Sequence, residues 1–213
     1  MLIPLKEPVA ISDYTKDWII RDKVNVEAGW VNNPKDLGKE TKCGVTAATA
    51  AEYKDSLVKL FGWNGRMKDL TPEMAMWIFN EGWWKKLCLD EIATVHPFLA
   101  DRMFDFGINA GRKRGALALQ EQLNVLNRQG RDYPDLKPDG AISSGGATIQ
   151  ALKAFVKVRG AEGVLVLVDA LCDYQAAHYR SISESRPDNE EFTYGWYQRV
   201  RHARRRYYKL LPN

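Results

Sequence analysis

The sequence predicts a mainly α fold, with a helical first part broken by one short β-hairpin and an all-helical module after it. Three observations carry this. Apolar side chains recur at helical spacing along most of the chain. Helix-start signals stand where those runs begin, the clearest being Thr71-Pro72-Glu73, a cap followed by proline and an acid. One stretch, Glu27 to Thr46, is instead crowded with turn residues: Gly29, Asn32, Asn33, Pro34, Gly38 and Gly44.

Taken in order, residues 1–11 read as an extended arm. Ser12 or Asp13 caps a first helix that runs to about Glu27 and carries Trp18, Ile20 and Val24. The turn-rich stretch then forms the hairpin. Thr46 begins a second helix that ends before Gly62. The helix after Thr71 carries Met74, Trp77, Ile78, Trp83 and Trp84, aromatics whose spacing suits a core. His96-Pro97 marks a boundary, because the residue before proline avoids the helical region. We therefore divide the chain into domains 1–96 and 97–213. A loop with Pro134, Pro138 and Asp139-Gly140 leads to a helix start near Thr148. Gly163 to Ser185 reads as a buried helix, although Val164 to Val168 alone would pass for a strand. Trp196, Val200, Ala203, Tyr207 and Leu210 form one apolar stripe on a last helix.

Composition bounds the function. A chain of 213 residues holds one good-sized domain or two small ones. No apolar run approaches the roughly 18 residues of a membrane span. Met1 to Ala10 has Lys6, Glu7 and two prolines where a signal peptide has its apolar core, so accumulation in the cytoplasm is expected. Cys43, Cys88 and Cys172 are an odd, sparse set and read as reduced thiols. Three His without a cysteine cluster argue against a zinc site, so no metal is expected. The net charge of +4 gathers at the end: after Glu191 there is no acid, while Arg199, Arg201, Arg204, Arg205, Arg206 and Lys209 follow. That basic helix is a candidate contact for an anionic envelope. A specific nucleic-acid partner is not expected, since no helix-turn-helix or aromatic RNA signature is present. A monomer is our working expectation.

The chemistry points to the hairpin. Ile20, Val24 and Glu27 fall on one helical face, so Glu27 continues an apolar stripe. Desolvation there would favour a protonated carboxyl, as a general acid needs. Asp36, beside Lys35 and Leu37-Gly38, reads as wetter and ionised. Two carboxyl groups held across a sugar are what glycosidic cleavage requires. The plainer alternative is a helix-end acid and a turn residue with no chemistry.

The motif from Glu27 to Val45 resembles the catalytic signature of the glycoside hydrolase family 108 N-acetylmuramidases of phage endolysins and related bacterial proteins. That signature has Glu-Gly-Gly-aromatic, an Asp nine positions after the Glu, then Gly-Gly-x-Thr and Gly-Ile. Glu27, Trp30, Asp36, Thr41 and Gly44-Val45 stand at those positions, with Ala28 and Lys39 in place of two glycines. The arrangement is also similar to the Glu, Asp and Thr of phage lysozymes. Asn109, Gln120, Asp139-Gly140, Thr148 and Phe192-Thr193-Tyr194-Gly195-Trp196-Tyr197-Gln198-Arg199 resemble the predicted peptidoglycan-binding module that follows in the same family.

The resemblance implies a lysozyme-like α+β catalytic part and a helical wall-binding module. It implies a peptidoglycan hydrolase acting on the β-1,4 bond between N-acetylmuramic acid and N-acetylglucosamine, with glycan strands as partner and no cofactor. Glu27 would be the general acid, and Asp36 with Thr41 would hold water. Trp30, Trp83 (or its neighbour Trp84) and Asn109 would be candidates for sugar contact; for the Trp pair and Asn109 the competing reading is packing. Two other functions stay open: a lytic transglycosylase working with one Glu, and a non-catalytic envelope binder.

Overall fold

The computed structural model describes residues 6–27, 29–32 and 40–211. It forms two compact units, one built on Asp13–Gly82 and the other on the chain from Trp83 onward.

In the first unit, α1 spans Lys16–Val26. Its cap is Thr15, not Ser12 or Asp13, which lie in a 3-10 turn over Ile11–Asp13. Thr15 has the extended backbone a cap needs, and its hydroxyl accepts the Trp18 N–H at 3.2 Å. Trp18, Ile20 and Val24 are buried, and the helix packs on α4. The arm is held where Trp18 Nε1 donates to the Lys6 carbonyl at 2.8 Å.

The expected hairpin is a three-stranded antiparallel sheet in the order β1 (Trp30–Asn32), β2 (Glu40–Lys42), β3 (Val45–Thr46). Val31 pairs with Thr41, and Lys42 with Val45. The β2–β3 turn is two residues long. Cys43 and Gly44 have φ of 52° and 75°, the primed turn whose twist matches that of paired strands. Thr46 ends β3 and caps α2 (Ala47–Glu52), accepting the Thr49 N–H at 3.2 Å. The single helix expected from Thr46 to Phe61 is broken at Tyr53, where α3 (Lys54–Phe61) begins and Gly62 closes it in the left-handed conformation. The Tyr53 ring sits edge-on to Trp77 at 5.9 Å. Thr71 caps α4 (Pro72–Phe79) as expected. A π-helical turn, Asn80–Trp84, follows it, so Trp83 and Trp84 are not part of one regular helix with Met74.

In the second unit come α5 (Leu89–Val95), α6 (Pro97–Ala110), α7 (Arg112–Val125), α8 (Ala147–Ser185) and α9 (Glu190–Leu210). His96 caps α6, its Nδ1 accepting the Phe98 N–H at 3.3 Å, so His96-Pro97 is a helix boundary within this unit. The segment Val164–Val168 is helical, as expected, in a helix that runs to Ser185. Two helices meet at Gly160, whose φ of 64° and ψ of −160° suit glycine alone. Phe98, Leu99, Phe104, Leu119, Leu152, Phe155 and Leu167 form the core. Val200, Ala203 and Tyr207 of the α9 stripe are buried, and Trp196 and Leu210 half-buried.

Inside this core lies a charge. Arg102 is buried on α6, among Asp101, Asp105, Gln175 and Tyr207. Burial opposes its charge, but Tyr207 and the two carboxylates hold the guanidinium protonated, well above its ordinary range. No helix among the described residues is long and apolar enough to cross a membrane.

Two imidazoles of this unit carry a pH dependence. Burial holds His96 below its ordinary value, and burial with the Arg114 charge does the same to His178. The unfolded chain takes up these protons near pH 6.5, the folded chain only at lower pH. Their contribution is therefore complete above about pH 6.5 and is lost as pH falls below it. Urea midpoints should fall between pH 7 and pH 5.5, and His178→Gln should shrink that fall. A midpoint constant across this window in the wild type would show that neither imidazole matters.

Candidate active site

Glu27 stands where α1 stops. It is the C-cap, with φ −102° and ψ 18°, and its N–H still bonds to the Lys23 carbonyl at 3.2 Å. The chain then turns through Gly29 into β1. The sheet returns to this point, because the Cys43 N–H donates to the Gly29 carbonyl at 3.4 Å.

The primed turn brings Gly44 against the acid. A Cβ placed on Gly44 would lie 3.1 Å from Glu27 Cβ, 3.3 Å from its Cγ and 3.2 Å from Phe79 Cζ. Gly44 is therefore required twice, for its positive φ and for this close approach. Phe79 is fully buried on α4 and backs the same spot. The Glu27 side chain keeps 30% of its surface open. Its surroundings are mixed rather than purely apolar. The buried Lys23, one helical turn back, places Nζ 3.6 Å from Glu27 Oε1. Sequence reasoning missed this partner, although the i, i+4 spacing offered it.

Thr41 lies in the centre of β2, half-exposed, opposite Val31 and Thr46. Alternation puts Thr41 and Val31 on one face of the sheet, and Trp30, Asn32, Glu40 and Lys42 on the other. Trp30 and Thr41 are thus presented to opposite sides. Trp30 is 40% exposed, donates its indole N–H to Glu40 Oε1 at 2.9 Å, and carries the Lys68 ammonium 4.6 Å from its ring centre. Glu40 and Lys68 also line a cavity of about 700 Å³ with Ala47, Lys54, Trp63 and Arg66. Asp36, expected as the second acid, lies outside the described residues.

The two remaining candidates belong to the second unit. Trp83 is half-buried; its Nε1 donates to the Gly107 carbonyl at 2.8 Å, and the Arg112 guanidinium sits 5.6 Å from its ring centre. Trp84 is fully buried and donates to Asp90, so it is a core residue. Asn109 Nδ2 donates to the Asp105 carbonyl at 2.7 Å, and its Oδ1 accepts from Arg199 at 3.1 Å. Both ends of that amide are engaged in packing α6 and α9.

Comparison with known proteins matches both parts of the chain. Residues 20–111 match the family model described as Glycosyl hydrolase 108, and residues 114–201 the model described as Predicted Peptidoglycan domain. The chain is similar to the solved structure of Brucella abortus SagA, at 25% identity and a TM-score of 0.64. That likeness covers 90% of this chain and 93% of the other. No curated protein matches.

The contact between Gly44 and Glu27 can be tested directly. In Gly44→Ala the positive φ alone should cost about 1–3 kcal/mol, and the new methyl must displace Glu27 or Phe79. Hydrolysis of sacculi should drop more than the loss of folded protein explains, when both are measured at a temperature where the variant stays folded. Activity in proportion to the folded fraction would mean that the turn does not position the acid.

Proposed function

We propose that the chain, whose residues 20–111 match the Glycosyl hydrolase 108 model and whose residues 114–201 match the Predicted Peptidoglycan domain model, is a glycoside hydrolase of peptidoglycan with a second, peptidoglycan-binding part, and that it is an N-acetylmuramidase. It cleaves the β-1,4 bond between N-acetylmuramic acid and N-acetylglucosamine, and so lyses cells whose wall it reaches. Residues 1–96 carry the catalysis and 97–213 the wall contact.

The observation that supports this best is the placement of Glu27. A carboxyl group at a helix end, backed by Phe79 and Gly44 and still partly open, can meet a substrate oxygen while its rotamers are limited. Glu27 acts as the general acid, giving its proton to the leaving glycosidic oxygen. Lys23 at 3.6 Å then stabilises the carboxylate left behind. Asp36 supports the developing positive charge or directs water at the anomeric carbon, and Thr41 orients that water. Two carboxyl groups complete the cycle without a cofactor. Trp30 offers a flat face to the glycan on the other side of the sheet.

A transglycosylase would use Glu27 alone and release an anhydro product lighter by one water. The motif position of Asp36 favours hydrolysis, and mass spectrometry of digested sacculi separates the two. Glu27→Gln should fold normally and lose about 10²–10⁴-fold in rate, the usual contribution of a positioned acid. Asp36→Asn should be similarly severe. Thr41→Ala should be milder, because a hydroxyl contributes about 0.5–1.5 kcal/mol. Near-normal lysis by Glu27→Gln would overturn the assignment.

The basic helix has its own test. Arg201, Arg205 and Lys209 are exposed on α9, away from the buried stripe. We assign them to an anionic envelope surface, each adding about 1 kcal/mol near such a surface. Replacing Arg201 and Arg205 by Glu should leave the fold and the hydrolysis of a small soluble glycan unchanged. Pelleting with anionic vesicles should fall at low salt and converge with wild type at high salt. Equal pelleting at low salt would leave α9 as a packing element only.

A further inference from the structure

Between α7 and α8 the second unit holds a long irregular loop that is pinned by amides. Gln120 and Asn124 on α7, and Asn127 just past its end, follow at i, i+4 and i+7 and face one side. Gln120 is buried; its Nε2 reaches the Ala141 carbonyl at 3.0 Å and Asp139 Oδ1 at 2.9 Å, while its Oε1 accepts the Gly140 N–H at 2.9 Å. Asn124 both donates to the Leu136 carbonyl and accepts the Leu136 N–H, each at 2.8 Å. Asn127, fully buried, donates to the Tyr133 carbonyl at 2.6 Å and to Asp135 Oδ1 at 2.7 Å, and accepts the Tyr133 N–H at 3.1 Å. Each amide stands in for a missing strand partner. A loop fixed at three points is preorganised, and preorganisation removes an ordering cost from binding.

The pinned loop walls a pocket of about 500 Å³, closed on the other side by Ala147, Ala151 and Ala154 of α8. Its mouth carries Asp135, Lys137 and Asp139, all exposed. Bonds from Gln120 and from the Ala141 N–H keep the Asp139 carboxylate ionised below its ordinary range. We propose that this pocket is a binding site for a peptidoglycan stem peptide, which deepens the reading above that the second part contacts the wall. The stem peptide offers what the walls ask for. Its alanine methyls fit the alanine face of α8. The ammonium of its diamino acid meets Asp135 and Asp139, and a peptide carboxylate meets Lys137. A sugar would want an open aromatic face. The one aromatic among the lining residues, Tyr133, is buried and its hydroxyl donates to the Leu123 carbonyl.

The test uses the full chain, titrated with L-alanyl-γ-D-glutamyl-L-lysyl-D-alanine and separately with chitotetraose. Ala147→Trp fills the pocket from an exposed position. Asp139→Asn keeps the acceptor for Gln120 and removes the charge. Both variants should melt like wild type and bind the tetrapeptide at least tenfold more weakly, with chitotetraose binding unchanged. Undiminished tetrapeptide binding in Ala147→Trp overturns the site, as does chitotetraose binding that disappears with it. Wild type that hydrolyses sacculi yet ignores the tetrapeptide overturns this inference alone. Wild type that does neither overturns the proposed function as well.

Discussion

The contact between Glu27 and Gly44 is the constraint on which the first unit depends. It joins the end of α1 to the tip of a two-residue turn, with Phe79 of α4 behind both. Glycine alone is unstrained at φ 75°, and a side chain there would push Glu27 or Phe79 aside by a few tenths of an ångström. The Cys43 that shares the turn also sits at positive φ, buried, at a conformational cost that the surrounding sheet must offset. A primed turn fixes the β2–β3 register, so the position of Thr41 follows from the same two residues. The acid, the strand that carries Thr41 and the core helix are thus set by one close approach.

The second unit is organised by polar groups in its interior. Arg102 alone would be a costly buried cation, and Asp105 alone a costly buried anion. Together with Asp101, Tyr207, Gln175, Tyr179 and Arg199 they bond α6 to α8 and α9. Such a network need not add stability over an apolar core. It does penalise any other docking of α9, because a shifted helix would strand a charge. The amides of Gln120, Asn124 and Asn127 act in the same way on the loop between α7 and α8.

Local features of the fold were legible in the sequence. Thr46 and Thr71 are caps where their side chains demanded it, and the stripe on α9 is the buried face its spacing announced. Both family matches were carried by short linked motifs in order, so fold class and broad activity could be read. The cap at Thr15 and the break at Tyr53 could not. Each depends on which of several permissive residues the tertiary structure selects. Packing is among the sequence readings of Asn109, but its partner, and the whole role of Arg102, were hidden for a different reason. Their partners stand some 70 to 105 positions away (Arg199 for Asn109; Gln175 and Tyr207 for Arg102), and no local pattern carries that information.

The basic end of the chain shows how far composition can mislead. Six cations follow Glu191, and counted together they suggest one positive surface. The helix sorts them by angle. Arg199 turns inward and bonds Asp105 and Asn109; Arg204 reaches Asp169 and Asp173 on α8. These two hold α9 in place. Arg201, Arg205 and Lys209 are the ones the fold leaves at the surface with high exposure. The Arg199–Asp105 pair, with its carboxylate buried, keeps its partner as salt rises, the half-exposed Arg204 pairs are screened in part, and the exposed set loses its reach as the Debye length shortens. Salt therefore separates the roles within one helix: it weakens what α9 attracts, while the buried stripe and the Arg199–Asp105 pair keep α9 docked.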